Sequence, residues 1–172
     1  MMLENDISIV VPVYNEVDNL SEFYERLTKT LDQISKKYQI IFINDGSVDA
    51  SLDKIIAFTK DSDKVFYLNL SRNFGHQIAV SAGLEYCNAD CTVIIDSDLQ
   101  DPPELIAELY QKYNEGFDVV YAKRMKRDGD TFLKKITAKL YYRLLRHWVS
   151  FEIPLDTGDY RLISKKLLMP LT

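Results

Sequence analysis

Two aspartates with one residue between them follow a short apolar run in the middle of the chain. Residues 92–95 are Thr, Val, Ile and Ile, and Asp96 and Asp98 come directly after them. Two carboxylates this close repel each other unless a cation neutralises them. Hard cations such as Mg2+ and Mn2+ bind proteins through one or two carboxylates and keep positions open for phosphate oxygens. The spacing therefore indicates a divalent-cation site.

The alternative is that these residues form an acidic turn without a metal. Pro103 is typical of the first position of a helix, and an aspartate just before a helix can accept hydrogen bonds from its free backbone N–H groups. We expect Asp101 to cap a helix in this way. For the two aspartates of the pair we favour the cation.

Apolar runs and helical patterns alternate along the rest of the chain. Five runs rich in β-branched residues predict strands, at residues 7–13, 39–43, 65–70, 92–95 and 118–122. Helical spacing between the first two runs is carried by Leu20, Phe23, Leu27, Leu31 and Ile34. We expect Asp49 to cap the second helix and Gly116 to end the helix of residues 104–113. The alternation predicts an α/β domain with a largely parallel sheet and right-handed crossovers.

The polar candidates share one location in this predicted sheet. Ligands of open α/β sheets bind outside the carboxyl ends of the strands. The polar residues that follow the first four predicted strands include Tyr14, Glu16, Asp45, Arg72, Asp96 and Asp98. No Gly-x-Gly-x-x-Gly pattern opens the first helix and the P-loop pattern is absent, which argues against a dehydrogenase and a P-loop protein.

Composition and charge indicate one soluble globular domain. The chain has 172 residues, 47% hydrophobic and 27% charged, and no apolar run long enough to span a bilayer. Its formal net charge is −5, yet nine lysines and arginines and only two aspartates lie between Lys123 and His147. This asymmetry predicts a local anionic partner and argues against general nucleic-acid binding. Cys87 and Cys91 are expected to be thiols in a reducing, cytosolic setting.

Five motifs occur along the chain: PVYNE from Pro12, NDGS from Asn44, RNFG from Arg72, DSDLQDPPE from Asp96 and DTGDYRLISKK from Asp156. With these motifs the chain resembles the family 2 glycosyltransferases of GT-A fold, and more narrowly the polyprenyl-phosphate glycosyltransferases. The resemblance implies a Rossmann-like sandwich with a mostly parallel central sheet flanked by helices. It also implies that residues 1–172 form a single catalytic domain of a hexosyltransferase.

The resemblance assigns a nucleotide-sugar site to these motifs. The donor-binding residues that it implies are Pro12, Tyr14, Glu16, Asp45 and Asp96. The ligands of Mg2+ or Mn2+ that it implies are Asp96, Asp98 and Gln100, which form the Asp-X-Asp motif and its extension. The family carboxylate at position 45 hydrogen-bonds the base of the nucleotide. From the residues alone, a plain Asp-Gly turn at Asp45 has equal weight.

The implied reaction is an inverting, metal-dependent transfer of a sugar to a polyprenyl phosphate, from a donor of the UDP-glucose or GDP-mannose type. Asp98 and Asp159 match catalytic positions. Asp159 either orients or deprotonates the acceptor, or it holds its own loop through Arg161. An acceptor phosphate requires cations, and the candidates are Arg124, Arg72, Lys134, Lys135 and Arg161.

The basic segment from Thr131 to Trp148 has an amphipathic pattern. Its apolar stripe repeats every four residues, at Phe132, Ile136, Leu140, Leu144 and Trp148. The pattern predicts either a helix that lies on an anionic membrane surface or an ordinary helix packed on the sheet.

We therefore expect a membrane-associated glycosyltransferase of cell-envelope biogenesis, peripheral to or anchored at the cytoplasmic face of the membrane in the full-length protein, and a possible homo-oligomer. The resembling proteins continue into membrane-spanning helices, so we expect the chain to be truncated before them. Two alternatives stay open: a family 2 transferase that glycosylates a sugar hydroxyl during polysaccharide synthesis, and a non-catalytic nucleotide-sugar-binding domain.

Overall fold

The computed structural model describes residues 5–123 and 157–168, with the backbone alone at residues 123 and 157–159. The chain divides into two compact units, residues 1–122 with 159–172 and residues 123–158. Nearly all of the second unit lies outside the described residues. The elements in chain order are β1 (Asn5–Val13), α1 (Leu20–Ile34), β2 (Tyr38–Asn44), α2 (Ser51–Asp61), β3 (Val65–Asn69), α3 (His76–Leu84), β4 (Ala89–Ile94), a 3-10 turn (Pro103–Leu105), α4 (Ile106–Asn114), β5 (Val119–Lys123), β6 (Thr157–Ser164) and α5 (Lys165–Leu168).

Six strands form one mostly parallel sheet in the order β3-β2-β1-β4-β6-β5. β1 lies in the middle and pairs in parallel with β2 on one side and β4 on the other, while β3 continues the parallel arrangement beyond β2. Every residue of β1 from Ile7 to Val13 is buried, as expected for a strand covered on both faces. The predicted α/β class is confirmed.

The sixth strand is a correction to the five that were predicted. β6 runs antiparallel to β4, with Ile94 opposite Arg161. The segment was interpreted only as a motif because glycine, aspartate and arginine interrupt its apolar residues. Its strand conformation depends on hydrogen bonds to β4, a long-range partner that local composition does not reveal.

Helices cover both faces of the sheet. One apolar cluster joins inward side chains of β1 and β2 to α1, α2 and α4, and it contains the predicted stripe residues Leu20, Phe23, Leu27 and Leu31. The second cluster lies on the opposite face and joins Val10 and Ile94 to α3 and α5. None of the helices within the described residues has the length and apolar composition needed to cross a bilayer.

The predicted helix ends are largely confirmed, with the aspartates one residue outside the cap positions. The cap position of α2 is Ala50, but Oδ1 of Asp49 accepts the N–H of Ser51, the first residue of the helix, at 2.9 Å, as a capping side chain does. The cap position of the 3-10 turn is Pro102, not Asp101. Gly116 has a φ of +102° just after α4, and its N–H donates to the carbonyl of Tyr113 at 2.9 Å. This left-handed glycine ends the helix, as predicted.

The two cysteines are free thiols within the fold, Cys91 buried and Cys87 half-buried. Burial raises the pKa of Cys87 to about 11 and the pKa of Cys91 to about 12. Both side chains therefore stay protonated at neutral pH, which agrees with the prediction of plain thiols.

Candidate active site

The loops that follow β1 and β2 are joined by reciprocal hydrogen bonds. The N–H of Asn15 donates to Oγ of Ser47 at 3.0 Å, and the N–H of Val48 donates back to Oδ1 of Asn15 at 2.9 Å. Asn15 has a φ of +57°, a left-handed conformation that asparagine tolerates better than most residues. These bonds fix the backbone at Asn15, between Tyr14 and Glu16.

A second pair of contacts extends this connection toward α2. The N–H of Glu16 donates to Oγ of the buried Ser51 at 2.9 Å, and the N–H of Val17 donates to Oδ2 of Asp49 at 3.1 Å. Burial alone would raise the pKa of Asp49, but hydrogen bonds from Ser51 and Val17 hold it below its ordinary value. Asp49 therefore accepts these bonds as a carboxylate and links the two loops.

Asp45 connects the loop after β2 to the loop after β3. Its buried carboxylate accepts the N–H of Phe74 at 2.8 Å through Oδ1 and the N–H of Gly75 at 3.0 Å through Oδ2. Each carboxylate oxygen has two acceptor positions, so these bonds leave Asp45 able to accept from a ligand as well. Its predicted role toward the base stays a prediction, and its role as an anchor is visible in these contacts.

Gly46 permits the close approach of these two loops. It has a φ of +67°, and a Cβ added to it would lie 2.3 Å from the backbone carbon of Arg72 and 2.5 Å from the backbone nitrogen of Asn73. Neither atom can move away without displacing the loop. Gly46 therefore allows the tight turn after β2. Asp45, directly before it, binds the neighbouring loop that the missing side chain of Gly46 lets come close.

The loop of the two predicted metal-binding aspartates begins against β1. The N–H of Ile95 donates to the carbonyl of Val10 at 3.1 Å, which extends the parallel pairing by one residue. Ser97 is buried between the aspartates, with its hydroxyl 3.5 Å from the carbonyl of Pro12. The position of this loop is thus set by the central strand of the sheet.

A backbone reversal follows directly. Oδ1 of Asp98 accepts the N–H of Gln100 at 3.0 Å, and Leu99 between them has a φ of +60°. A left-handed leucine costs of order 1–3 kcal/mol, and such residues concentrate at functional sites. The side chain of Leu99 packs against the main core, which offsets this cost.

Two contacts hold the far end of the same loop. The hydroxyl of the buried Tyr160 in β6 donates to the carbonyl of Pro102 at 3.2 Å, and burial together with nearby carboxylates raises the pKa of Tyr160 well above its ordinary value. The guanidinium of Arg26 donates to both carboxylate oxygens of Glu104, each at 2.8 Å. Its hydrogen bonds hold the pKa of Glu104 below the ordinary value.

These loops enclose a cleft of about 270 Å3 at the carboxyl ends of the parallel strands. Its lining contains six of the seven predicted donor and metal residues, all but Gln100, together with five residues that were not predicted. The lining residues are Pro12, Val13, Tyr14, Glu16, Asp45, Asn73, His76, Ala79, Asp96, Ser97 and Asp98. Four of these carry carboxylates, and among the described residues of the lining none is lysine or arginine.

Other predicted site residues lie elsewhere or outside the description. Gln100 is exposed and does not line the cleft, and Arg72 is exposed with its guanidinium 4.2 Å from the ring centroid of Phe74. Arg161 is half-buried in β6, and its Nε is buried without a hydrogen-bond partner among the described residues. The side chains of Asp159, Arg124, Lys134 and Lys135, and the segment from Thr131 to Trp148, lie outside the described residues.

The donor set of the cleft fits a divalent cation that is shared with a ligand. Within residues 5–123 and 157–168, no three His, Cys, Asp or Glu side chains converge as a protein-only metal site would require. Mg2+ and Mn2+ are commonly held by one or two carboxylates while substrate phosphates and water complete the shell. Asp96 and Asp98, with hard oxygen donors and no thiolate nearby in the lining, match that chemistry.

Three polar residues of the lining were not predicted as site residues, Asn73, His76 and Ser97. Nδ1 of His76 lies 3.6 Å from Oδ1 of Asp96. Asn73 and His76 could have been predicted, because both follow the carboxyl end of the third strand. The predicted site residues were chosen from the same kind of position, after the carboxyl ends of the first four strands.

The architecture is that of solved glycosyltransferases. The chain is similar to the mannosyltransferase PcManGT of Pyrobaculum calidifontis, solved in complex with GDP-Man and Mn2+, with a TM-score of 0.69 and 17% identity over 98% of this chain and 47% of that one. An identity this low supports the fold alone. The fold is therefore GT-A, as predicted from the motifs.

Sequence comparison then shows the family. The profile of glycosyl transferase family 2 matches residues 8–171. The chain is 49% identical over 160 residues to the uncharacterized glycosyltransferase YkcC of Bacillus subtilis, which covers 93% of this chain and 50% of that protein. It is 39% identical over 162 residues to the bactoprenol glucosyl transferase of Shigella phage SfV. That alignment covers 94% of this chain and 53% of the phage protein. The chain belongs to glycosyl transferase family 2, and it spans about half the length of these relatives.

We expect Gly46→Ala to lower the free energy of unfolding by about 2–4 kcal/mol, because a left-handed alanine costs about 1–2 kcal/mol and the clash with fixed backbone adds about 1–3 kcal/mol. Val48→Ala, an exposed change in the same loop, is the control and should shift stability by less than about 0.5 kcal/mol. Urea unfolding measures both. Equal stability of the two variants would contradict the proposed close approach of the loops.

Tyr160→Phe should destabilise the protein by about 1–2 kcal/mol, because the carbonyl of Pro102 loses its buried donor. The matched control is Tyr113→Phe, which removes an exposed hydroxyl 3.4 Å from the carbonyl of Asp90 and should cost less than about 0.5 kcal/mol. Thermal unfolding of both variants checks the difference. If Tyr160→Phe were as stable as the wild type, its hydroxyl would not be what holds the loop.

Proposed function

We propose that this chain carries the donor site of an inverting, divalent-metal-dependent glycosyltransferase that moves a sugar from a nucleotide sugar to a polyprenyl phosphate. The observation that carries the proposal is the charge of the cleft. Glu16, Asp45, Asp96 and Asp98 line it, and its described lining has no lysine or arginine. A nucleoside diphosphate would be repelled from such a cleft unless a divalent cation bound with it.

The nucleoside is assigned to the end of the cleft formed by Pro12, Tyr14, Glu16 and Asp45. Tyr14 is partly exposed and offers an aromatic face, and Asp45 keeps acceptor positions for a ring N–H of uracil or guanine. The fold neighbour from Pyrobaculum calidifontis, solved with GDP-Man and Mn2+, supports a nucleotide-sugar donor together with a metal. We favour a UDP-glucose or GDP-mannose type of donor, in that order.

Asp96 and Asp98 would hold the cation beside the diphosphate. When bound, Mg2+ or Mn2+ supplies neutralisation of the negative charge that builds up on the departing nucleoside diphosphate. The carboxylates of these residues are presented by a loop fixed at both ends, so they require little rearrangement on binding. Gln100 would add a neutral oxygen only if its exposed side chain turned toward the cleft.

The acceptor is proposed to be a polyprenyl phosphate because the relative from Shigella phage SfV is named a bactoprenol glucosyl transferase. A phosphate monoester has a second pKa of about 6, so much of it is dianionic at neutral pH and needs no strong base. One of its oxygens forms a bond to the anomeric carbon as the bond from that carbon to the donor phosphate breaks. The electron pair leaves with the nucleoside diphosphate, and the configuration inverts.

Cations are needed where the acceptor phosphate approaches the acidic cleft. Arg161 lies opposite Ile94 in the sheet, and Ile94 is two residues before Asp96 in the chain. The buried Nε of Arg161 has no hydrogen-bond partner among the described residues, which supports a role in binding an anion. Arg124 follows β5 and remains a candidate for the same phosphate, as do Arg72, Lys134 and Lys135. Asp159 is proposed to orient the acceptor from the start of β6.

We place the reaction at the cytosolic face of the membrane, where the basic segment from Thr131 to Trp148 would contact anionic lipid. The whole protein's activity, its lipid acceptor and any anchor belong to this proposal, because the chain spans about half the length of the relatives it matches.

Calorimetric titration of UDP and of GDP tests the donor site. With Mn2+ present we expect one of the two nucleotides to bind, and EDTA should abolish the binding. Asp98→Asn should weaken it by about tenfold or more, since even outer-shell changes at metal sites cost about 10–100-fold. Asp53→Asn, an equal change of charge on the exposed side of α2, is the control and should bind like the wild type.

Two results would contradict the proposal. One is nucleotide binding that is unaffected by EDTA and by Asp98→Asn, because the cleft would then tolerate a diphosphate without a cation. The other is a well-folded chain that binds neither nucleotide under any condition. Sugar transfer by the full-length protein to a polyprenyl phosphate then separates an enzyme from a nucleotide-sugar-binding domain.

A further inference from the structure

His76 lies in the cleft at a fixed place. It is the first residue of α3, directly after the loop whose Phe74 and Gly75 N–H groups are held by Asp45. Its side chain is half-buried and lines the cleft beside Ala79 and Asp96. The position of His76 is therefore set by a buried carboxylate on one side and by a packed helix on the other.

The contact of this imidazole with Asp96 has the geometry of a charge contact. Nδ1 of His76 lies 3.6 Å from Oδ1 of Asp96, slightly longer than a hydrogen bond, and about a third of each side chain is exposed. At a partly buried site, electrostatic attraction is several times stronger than in water. Both the imidazolium and the neutral tautomer with a proton on Nδ1 can donate toward Oδ1.

Charge balance gives this contact its importance. Four carboxylates line the cleft, and among its described lining residues His76 is the one side chain that can carry a positive charge. Repulsion between like charges acts on the orientation of a carboxylate, and a neighbouring donor can counteract it. Carboxylates that bind metals are commonly oriented by such hydrogen-bonding partners behind them.

We infer that His76 is a positioning residue that holds the carboxylate of Asp96 in one orientation for the divalent cation. The inference rests on the function proposed above, since it concerns the same cation and nucleotide. His76 itself touches neither the sugar nor the leaving group in this account. Its contribution is to the affinity of the cation, which can be measured without any turnover.

The test measures the binding of Mn2+ to the 172-residue chain at one fixed pH. Binding is monitored by electron paramagnetic resonance as the loss of the signal of free Mn2+. The solution contains saturating UDP, or GDP if the wild type binds only GDP. His76→Ala and His76→Phe both remove the donor, and the phenyl ring keeps the volume. His76→Asn places an amide nitrogen close to the position of Nδ1. Gln77→Ala, an exposed neighbour in the same turn, is the control.

We expect the Ala and Phe variants to bind Mn2+ about tenfold more weakly or worse, the Asn variant to stay within about threefold of the wild type, and the control to be unchanged. Thermal unfolding of each variant identifies any that fails to fold. Because His76→Ala and His76→Phe both lack the ring N–H, the comparison with the wild type can still be made if one of them does not fold. If Ala and Phe bind Mn2+ as the wild type does, or if Asn is as weak as Ala, the inference is wrong. If the wild type binds no Mn2+ with either nucleotide, the proposed function fails first.

Discussion

Mutual repulsion of carboxylates is the constraint on which the rest of this structure depends. Glu16, Asp45, Asp96 and Asp98 come from three different loops and line one small cleft. In a partly buried place such charges oppose each other by amounts comparable to the contribution of a single hydrogen bond or more. The fold must therefore hold these loops together against their own charge, and the cation of the proposed function would relieve the repulsion.

The loops are held by side chains that bond to backbone. Asn15, Asp45 and Asp49 each accept a backbone N–H group from another loop, so these bonds tie three chain segments together. Such bonds contribute about 1 kcal/mol each and more when the acceptor is charged. Motif residues that look purely chemical in the sequence thus also serve as scaffold. A substitution at Asp45 or Asp49 would change the shape of the cleft as well as its charge.

Much of the fold was predictable because β1, β2 and β4 are continuous β-branched runs and α1 has a clear apolar stripe. The placement of the acidic residues in one cleft was also predictable, since all follow the carboxyl ends of parallel strands. β6 was not predictable, because its sequence contains glycine, aspartate and arginine and does not resemble a strand. It takes up the strand conformation through its pairing with β4. The left-handed Leu99 and the contact of His76 with Asp96 depend on packing between distant segments, which residue spacing does not encode.

The chain belongs to glycosyl transferase family 2 and has the GT-A fold, and the function proposed for it adds a cation shared between the cleft and its ligand. The most direct measurement is anomalous scattering from Mn2+ in crystals of the chain grown with UDP or GDP. We predict one Mn2+ peak at coordination distance from the carboxylates of Asp96 and Asp98, with the diphosphate beside it. A nucleotide in the cleft with no cation there, or a Mn2+ bound only elsewhere, would contradict the claim that these carboxylates form a shared metal site.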